Sequence, residues 1–315
     1  MWRFALVRTG QLLVTLFLAS VAVFLVIEHA PGDPAQVQLG LSATPAEIAV
    51  ERRKLGLDAS VMHRYVVWLG QALHLDLGRS FATGLPVTRT IVTAFGYTLR
   101  LDVLAIVLGI ALGLPLGIAA ALRRGSRLDA GISAFAALGL SVPVFAMGTL
   151  LILVFAVHFK VMPAAGAGVP GQSVLSSLRY LVLPAATLAI PFAAVLARYL
   201  RVELGEAMEQ PYVLTARSLG LRRRTVVVNA WRNAMIPTIT VMGIQVGRLL
   251  AGAIITETVF SYPGIGYLTV QSIQSLDYPV VEGVLLLGAA VFLLVMFVVD
   301  VVIGFASPRM RIEGA

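Results

Sequence analysis

Long apolar segments alternate with shorter polar ones along almost the whole chain. A helix of about 20 apolar residues crosses the hydrocarbon core of a bilayer. Six segments approach or exceed that length: residues 9–27, 103–122, 130–157, 180–197, 236–255 and 284–299. The pattern therefore predicts an all-α polytopic membrane protein with six transmembrane helices.

The first apolar segment follows Arg3 and Arg8, as the core of a secretory signal peptide would. It is long for a signal peptide, and no small-residue cleavage pattern comes after it. We therefore expect residues 1–30 to form an N-terminal tail and a retained first transmembrane helix.

Residues 31–96 are too polar to span a membrane, and their start and stop signals predict a helical extracytoplasmic region. Thr44–Glu47 has the sequence of a capping box with proline at the first helical position, and Gly56 is placed to end that helix. Asp58 is predicted to cap a second helix. Apolar residues recur along one side of it: Val61, Tyr65, Trp68, Leu69 and Leu73.

The polar interval between the fourth and fifth spans, residues 198–235, contains the signals of one short helix. Pro211 suits a first helical position, and Gly220 suits a left-handed C-cap. Four residues between them form an apolar stripe at helical spacing: Tyr212, Val213, Ala216 and Leu219. Such a helix either docks into a groove of a soluble partner or lies in the lipid interface with its arginines on phosphates.

Composition supports the membrane assignment. The 315 residues are 58% hydrophobic and 13% charged, with a mean hydropathy of +0.90, which is typical of polytopic membrane proteins. No cysteine is present, which excludes disulfides and cysteine-based metal sites. The net charge of +8 is compatible with nucleic acid, but in a membrane protein the positions of the charges indicate topology instead, and we expect no nucleic-acid partner.

The basic residues are distributed unevenly between the two sides that six spans define. Fourteen of the 24 lysines and arginines lie in the N-terminus, the second and fourth connections and the tail at residues 307–315. Because short cytoplasmic loops are enriched in lysine and arginine, both termini and residues 198–235 are predicted to be cytoplasmic. Residues 97–306 then form the transmembrane core, in a multi-pass protein of the cell (inner or plasma) membrane.

Several strings in this sequence resemble the permeases of ABC importers, in the branch that transports dipeptides, oligopeptides and nickel. The strings run through almost the whole chain: Pro31–Ala35, Asp76–Ser80, Tyr212–Leu221, Arg232–Pro237, Glu257–Gly266 and Asp277–Val281. Leu214 and Pro211 depart from the family pattern, since acidic residues are usual at both positions. An ion pair from either position to a partner is therefore not expected.

The resemblance implies that the short helix is the coupling helix, which sits in a cleft of an ATPase subunit. The residues it assigns to this contact are Tyr212, Val213, Thr215, Ala216, Arg217, Gly220 and Leu221. It also implies a second homologous permease, two ATPase subunits and an extracytoplasmic binding protein that delivers the solute. The chain has only Lys54 and Lys160, and neither belongs to a phosphate-binding loop, so ATP is expected to be used by the partners and no cofactor by this chain.

Two charged residues are of interest here, Arg248 within the fifth span and Glu257 just after it. Arg248 lies about two thirds of the way along residues 236–255, within the span, where burial of an isolated charge costs about 2.5–3.5 kcal/mol. Both are candidates for the translocation path or for a buried pair. Arg248 has an alternative, which is to extend its side chain to the cytoplasmic interface.

Two other functions are open. A secondary transporter would use intramembrane ionisable relays and paired repeats, and few such charges are present. A non-transporting membrane scaffold would carry no solute. The four histidines are scattered and the sequence has no catalytic cluster, so we expect no enzyme. Relatives in the resembled family carry peptides, nickel complexes, glutathione and other small solutes, and the sequence does not choose among them.

Glycines and prolines within the spans also have two interpretations. They either pack helices closely or bend them around a path that opens. Pro263, Gly264 and Gly266 predict tight, non-helical backbone after the fifth span, and the aromatic residues beside them predict a position at the outer interface.

Overall fold

The structure is a computed structural model, which describes residues 2–30, 32–40, 42–168 and 173–306. The predicted tail at residues 307–315 lies outside the described residues. The described residues are almost entirely helical and contain no β-strand beyond one isolated bridge between Arg79 and Pro86. The helices are α1 (Trp2–Glu28), α2 (Pro34–Leu39), α3 (Pro45–Lys54), α4 (Val61–Leu73), α5 (Val87–Leu122), α6 (Arg127–Ser141), α7 (Val144–Leu151), α8 (Val174–Glu209), α9 (Pro211–Ser218), α10 (Arg223–Val259), α11 (Ile265–Gln274) and α12 (Tyr278–Ala306).

Four of the described helices are long and apolar enough to cross a membrane unaided. They contain the stretches Val7–Glu28, Val87–Leu122, Ser176–Glu209 and Tyr278–Val299. Two further stretches are long and apolar enough only when two segments are taken together across a bend. These are α6 with α7, and the two parts of α10. The count reaches the predicted six if each bent pair is one span, and the six-span topology stays a prediction.

The third predicted span, residues 130–157, is wrong as one continuous helix. The chain bends by 106° between α6 and α7. Val142 is extended there, with φ −83° and ψ 121°, because the ring of Pro143 disfavours a helical residue before it. After α7 the chain continues as a π-helix, Ile152–His158.

Three helices extend beyond the boundaries that hydropathy suggested. Helix α5 begins at Val87, α8 continues to Glu209, and α10 already begins at Arg223. Hydropathy marks the apolar part of a helix only, and no proline stands in the polar extensions. The predicted loop at residues 198–235 is therefore mostly helix.

The chain forms two compact units. Arg100–Tyr262 makes most of the first unit, and Leu6–Leu99 with Pro263–Leu294 makes the second. Each has buried apolar clusters of its own.

Glycines bring helices of the first unit into close contact. A Cβ on Gly113 of α5 would lie 2.9 Å from the Ala193 carbonyl oxygen of α8, and one on Gly117 would lie 2.8 Å from Leu200 Cβ. Nothing larger than glycine fits at this separation. These two positions support the packing interpretation of the transmembrane glycines.

In the second unit, α1 packs against α4. The Phe24 ring lies 5.3 Å from the Tyr65 ring and 5.7 Å from the Trp68 ring, measured between centroids. Arg64 of α4 forms an ion pair with Glu28 at the end of α1. Tyr65 and Trp68 from the apolar side predicted for the second polar-region helix therefore face another helix, whereas Val61 and Leu73 from the same side are exposed.

The predicted caps in the polar region are correct in all but one case. The Thr44–Glu47 capping box is present, and its hydrogen bonds from the Thr44 backbone and side chain lower the pKa of the Glu47 carboxyl. Gly56 follows α3 with φ +69°. Asp58 does not cap α4, because Ser60 does, and Asp58 instead lies 3.6 Å from Arg52.

The turn before α12 joins two strings of the sequence that lie far apart. Asp277 is 3% exposed, and its carboxylate accepts hydrogen bonds from the Ser80 hydroxyl and from the Phe81 N–H, the latter at 2.8 Å.

Two expectations for the turn after α10 are corrected by the structure. Phe260 and Tyr262 are buried within the protein instead of exposed at an interface, and Gly266 lies inside α11.

Candidate coupling site

Helix α9 begins and ends at the residues that the sequence signals predict. Pro211 is its first residue, after an extended Gln210. At the other end the Gly220 N–H donates to the Arg217 carbonyl at 3.0 Å, and the Leu221 N–H donates to the Ala216 carbonyl at 3.1 Å. This pair of bonds is a Schellman motif, and it requires the positive φ of +74° that Gly220 adopts. The predicted left-handed cap at Gly220 is confirmed.

The predicted apolar stripe of α9 divides between two sides of the helix. Val213 is completely buried, and Ala216 is half-buried. The Tyr212 hydroxyl accepts a hydrogen bond of 3.0 Å from Asn233 Nδ2 on α10. Leu219 points away from this side and is 73% exposed. Val213 therefore anchors α9 to the rest of the protein, and the four residues of the stripe do not form one face that could dock on a partner.

The exposed side of α9 is apolar and basic. Leu214 is 59% exposed, and Thr215, Arg217 and Ser218 beside it are exposed as well. Leu221 follows the cap and is also exposed. Large apolar side chains grouped at an exposed helix indicate a contact surface.

Helix α9 connects two long helices that pack directly on each other. Only Gln210 separates it from α8, and only residues 219–222 separate it from α10. The ends of α8 and α10 share one buried cluster: Leu200, Leu204, Ala207, Ala230 and Ala234. A force on α9 therefore acts on both helices.

The two charged candidates of the fifth span have different environments within α10. The Arg248 side chain is exposed and its Nη1 lies 3.4 Å from Gln245 Oε1. Glu257 is completely buried, and its charge acts on Asp102, which is 7% exposed. One carboxylate oxygen of Asp102 has no hydrogen-bond partner among the residues that the structure describes. Sequence patterns did not single out this buried carboxyl pair, since its members lie far apart in the chain.

One further contact near the site was not expected from the sequence. Asp129 in the first turn of α6 is 3% exposed and forms an ion pair with Arg201 of α8. The sequence contained one relevant signal, Ser126, whose residue type favours an N-cap position. In the structure Ser126 caps α6, and its side chain accepts a hydrogen bond from the Asp129 N–H. That signal places Asp129 on α6 but does not identify its partner.

Comparison with known proteins gives consistent matches along the chain. The profile described as "Binding-protein-dependent transport system inner membrane component" matches residues 113–312, and the profile for the N-terminal part of such membrane components matches residues 1–102.

Curated relatives match over nearly their whole length. The chain is 38% identical to the di/tripeptide transport system permease protein of Pseudomonas aeruginosa, covering 96% of this chain and 97% of that protein. It is 38% identical to the glutathione transport system permease protein of Escherichia coli O6:H1, covering 99% of both, and 35% identical to the dipeptide transport system permease protein of E. coli K12, again covering 99% of both.

The fold has a counterpart among solved structures. An inward-facing form of the MetNI methionine ABC transporter superposes with a TM-score of 0.56 at 19% identity, covering 69% of this chain and 96% of that one. At this identity the likeness concerns the fold alone. The family matches and the full-length relatives together establish that the chain belongs to the inner membrane components of binding-protein-dependent transport systems.

Proposed function

We propose that this chain is one of two permease subunits of an ATP-driven importer for peptides or a related small solute. It forms the translocation path with a second, homologous permease. An extracytoplasmic binding protein delivers the solute, and two ATPase subunits bind and hydrolyse ATP. This chain binds no cofactor and catalyses no reaction of its own.

The exposed side of α9 is the observation that carries the proposal. It presents Leu214, Leu219 and Leu221 together with Arg217, and three more exposed arginines follow at residues 222–224. Apolar anchors with arginines at their edge are typical of protein interfaces. A groove on an ATPase subunit that receives α9 would pass its closure to α8 and α10.

In the alternative, α9 lies in the lipid interface with the same arginines on phosphates, and its leucines are buried in lipid instead of in a protein groove. A helix lying on a bilayer buries one continuous apolar face in the acyl region. Here Val213 faces the protein's own helices while Leu214 and Leu219 face outward. This division favours a protein groove.

The names of the relatives support short peptides and peptide-like solutes as a class, since they include di/tripeptide, dipeptide and glutathione permeases. They do not favour one solute of this class over another. We propose a short peptide or a peptide-like solute. Arg248 and Glu257 are retained as candidates for the path and for a buried carboxyl site, respectively.

Reconstituted transport tests the proposal. The chain, its second permease and the ATPases are placed in liposomes with the binding protein and a labelled dipeptide. We expect uptake that requires ATP inside the liposomes and the loaded binding protein outside. Uptake driven by a proton gradient without ATP would indicate a secondary transporter, and absence of flux with every solute in an assembled complex would indicate a scaffold.

The proposed topology has both termini and α9 in the cytoplasm, with residues 31–96 outside. Alkaline phosphatase fused near Ser60 should then be active, and phosphatase fused near Arg223 should be inactive. The opposite result at either position contradicts this orientation.

A further inference from the structure

Two ion pairs tie the turn between α5 and α6 to the last part of α8. Arg201 donates from Nη2 to Asp129 Oδ2 at 2.9 Å and from Nε to Oδ1. Further along α8, Arg124 Nη1 donates to Glu209 Oε1 at 2.9 Å. Glu209 is the last residue of α8 and lies next to the start of α9.

The Asp129 carboxylate is buried and well satisfied, while Arg201 is partly exposed. Oδ2 also accepts a hydrogen bond of 2.9 Å from the Gly125 N–H, so three donors converge on this one carboxylate. The Asp129 side chain is 5% exposed and that of Arg201 is 30% exposed. Loss of Arg201 would leave the buried Asp129 carboxylate without its counter-charge, and the two-point contact of the guanidinium fixes the relative position of the two side chains.

The second pair differs in its surroundings. The side chains of Arg124 and Glu209 are 51% and 71% exposed. Exposed pairs of this kind contribute little, because water and salt screen them. The two pairs thus give one contact with a buried carboxylate and one exposed contact between the α5–α6 region and the last part of α8.

Close packing continues from the Asp129 pair into the helices. Ala120 of α5, Ile132 of α6 and Ala197 of α8 form one buried cluster, and a Cβ on Gly139 of α6 would lie 3.0 Å from Ala194 Cβ of α8. Interiors packed this closely transmit displacement instead of absorbing it. The ion pair extends the packed region to the polar turn, where apolar contacts end.

We infer that the Asp129–Arg201 pair is a brace that joins the α5–α6 turn to the end of α8 that carries α9. When α9 is displaced, α5 and α6 move with α8 as one body. Asp129 and Arg201 are positioning residues, since they touch neither the solute nor ATP. The inference rests on the proposed function in one respect, namely that an ATPase displaces α9.

A distance measurement tests the brace directly. The chain has no cysteine, so spin labels can be placed at Leu128 on α6 and at Glu206 near the end of α8, both of which are exposed and outside the proposed docking side of α9. In the assembled complex we expect a narrow distance distribution that keeps its width with and without ATP. Asp129→Asn should broaden it, and Arg201→Lys, which keeps the charge but loses the two-point contact, should broaden it less.

Arg124→Ala is the matched control, because it removes the exposed pair between the same elements. It should leave the distribution unchanged. Coupling provides the second readout: in Asp129→Asn the uptake per ATP hydrolysed should fall below that of Arg124→Ala, because displacement of α9 would no longer carry α5 and α6 along with α8. A general loss of folding would lower uptake and hydrolysis together.

Unchanged width in both Asp129→Asn and Arg201→Lys would overturn the brace. Broadening without a fall in uptake per ATP would overturn its role in transmission. Failure of the proposed function is a separate result, since it would appear as absence of contact between α9 and any ATPase while the spin-label widths still respond to Asp129.

Discussion

The cap of α9 and the turn before α12 are both short polar connections between helices, but they use their side chains in opposite ways. At α9 the backbone satisfies its own hydrogen bonds through Gly220, which leaves Leu214 and Leu219 free to face outward. At the other turn Asp277 is buried and satisfies backbone and hydroxyl groups of residues 80–81. The first segment leaves apolar side chains available for the contact that we propose with another molecule, and the second holds its own unit together.

This difference separates two consequences of mutation. Changes at the Asp277 turn should lower stability, and function should fall only because less protein folds. Changes on the exposed side of α9 should leave stability intact and lower transport alone. The predictions that follow test this separation, from the largest expected effect to the smallest.

Asp277→Ala should have the largest effect on stability. It leaves the buried Ser80 hydroxyl and the Phe81 N–H without their acceptor, and hydrogen bonds to a charged group contribute about 1.5–3 kcal/mol each. We expect unfolding of the detergent-purified chain at a clearly lower temperature. Asp76→Ala is the control, because Asp76 is exposed and its carboxylate accepts a hydrogen bond from the neighbouring Gly78 N–H. Equal losses in the two variants would contradict the assigned role of Asp277.

Gly220→Val should remove coupling while the protein remains in the membrane. A Cβ at this position meets no atom within 4 Å, so the obstacle is the φ of +74° and not space. A left-handed residue with a side chain costs about 1–2 kcal/mol, and more when it is β-branched. Gly220→Asn is the control, since asparagine tolerates this conformation. We expect uptake to be lost in the valine variant and largely kept in the asparagine variant, with equal membrane abundance. Equal uptake in both would show that the cap geometry is unimportant.

Leu219→Glu should lower uptake about tenfold with unchanged thermal stability, as expected for an exposed side chain at the centre of a contact. The control is Leu73→Glu on α4, which is 76% exposed, close to the 73% of Leu219. ATP hydrolysis in the Leu73 variant should keep its dependence on the loaded binding protein. Loss of stability in the Leu219 variant would place that residue in the interior after all.

Arg248 should show the smallest effect. Its side chain is exposed on α10, and an exposed charge contributes up to about 1 kcal/mol, so Arg248→Leu should reduce uptake about threefold. Arg248→Lys keeps the charge and should transport nearly as the wild type does. Normal uptake in Arg248→Leu, Arg248→Gln and Arg248→Lys, with intact assembly, would remove this residue from the proposed path.

Sequence patterns predicted the local parts of this structure well. The Thr44–Glu47 capping box, Pro211 at the start of α9 and Gly220 at its end are all present, because each depends on a few neighbouring residues. The break at Pro143 was visible as a proline, but its size was not, since bending of a membrane helix depends on what packs around it.

The patterns did not predict contacts between distant residues. Asp277 with Ser80, and Asp129 with Arg201, are separated by 197 and 72 positions, and a single sequence contains no signal that pairs them. The division of the α9 stripe was missed for a related reason. Helical spacing shows that Val213 and Leu219 are apolar, but only the packing of α9 on its neighbours decides which of them is buried.

The central claim is that the exposed side of α9 docks on an ATPase, and cysteine cross-linking tests it most directly. One cysteine is placed at Leu214, which is 59% exposed, or at Val213 beside it, which is completely buried. Partner cysteines are placed along the ATPase groove in the assembled complex. We predict cross-links from position 214 and none from position 213. Cross-links from neither position, in a complex that still transports, would contradict the claim.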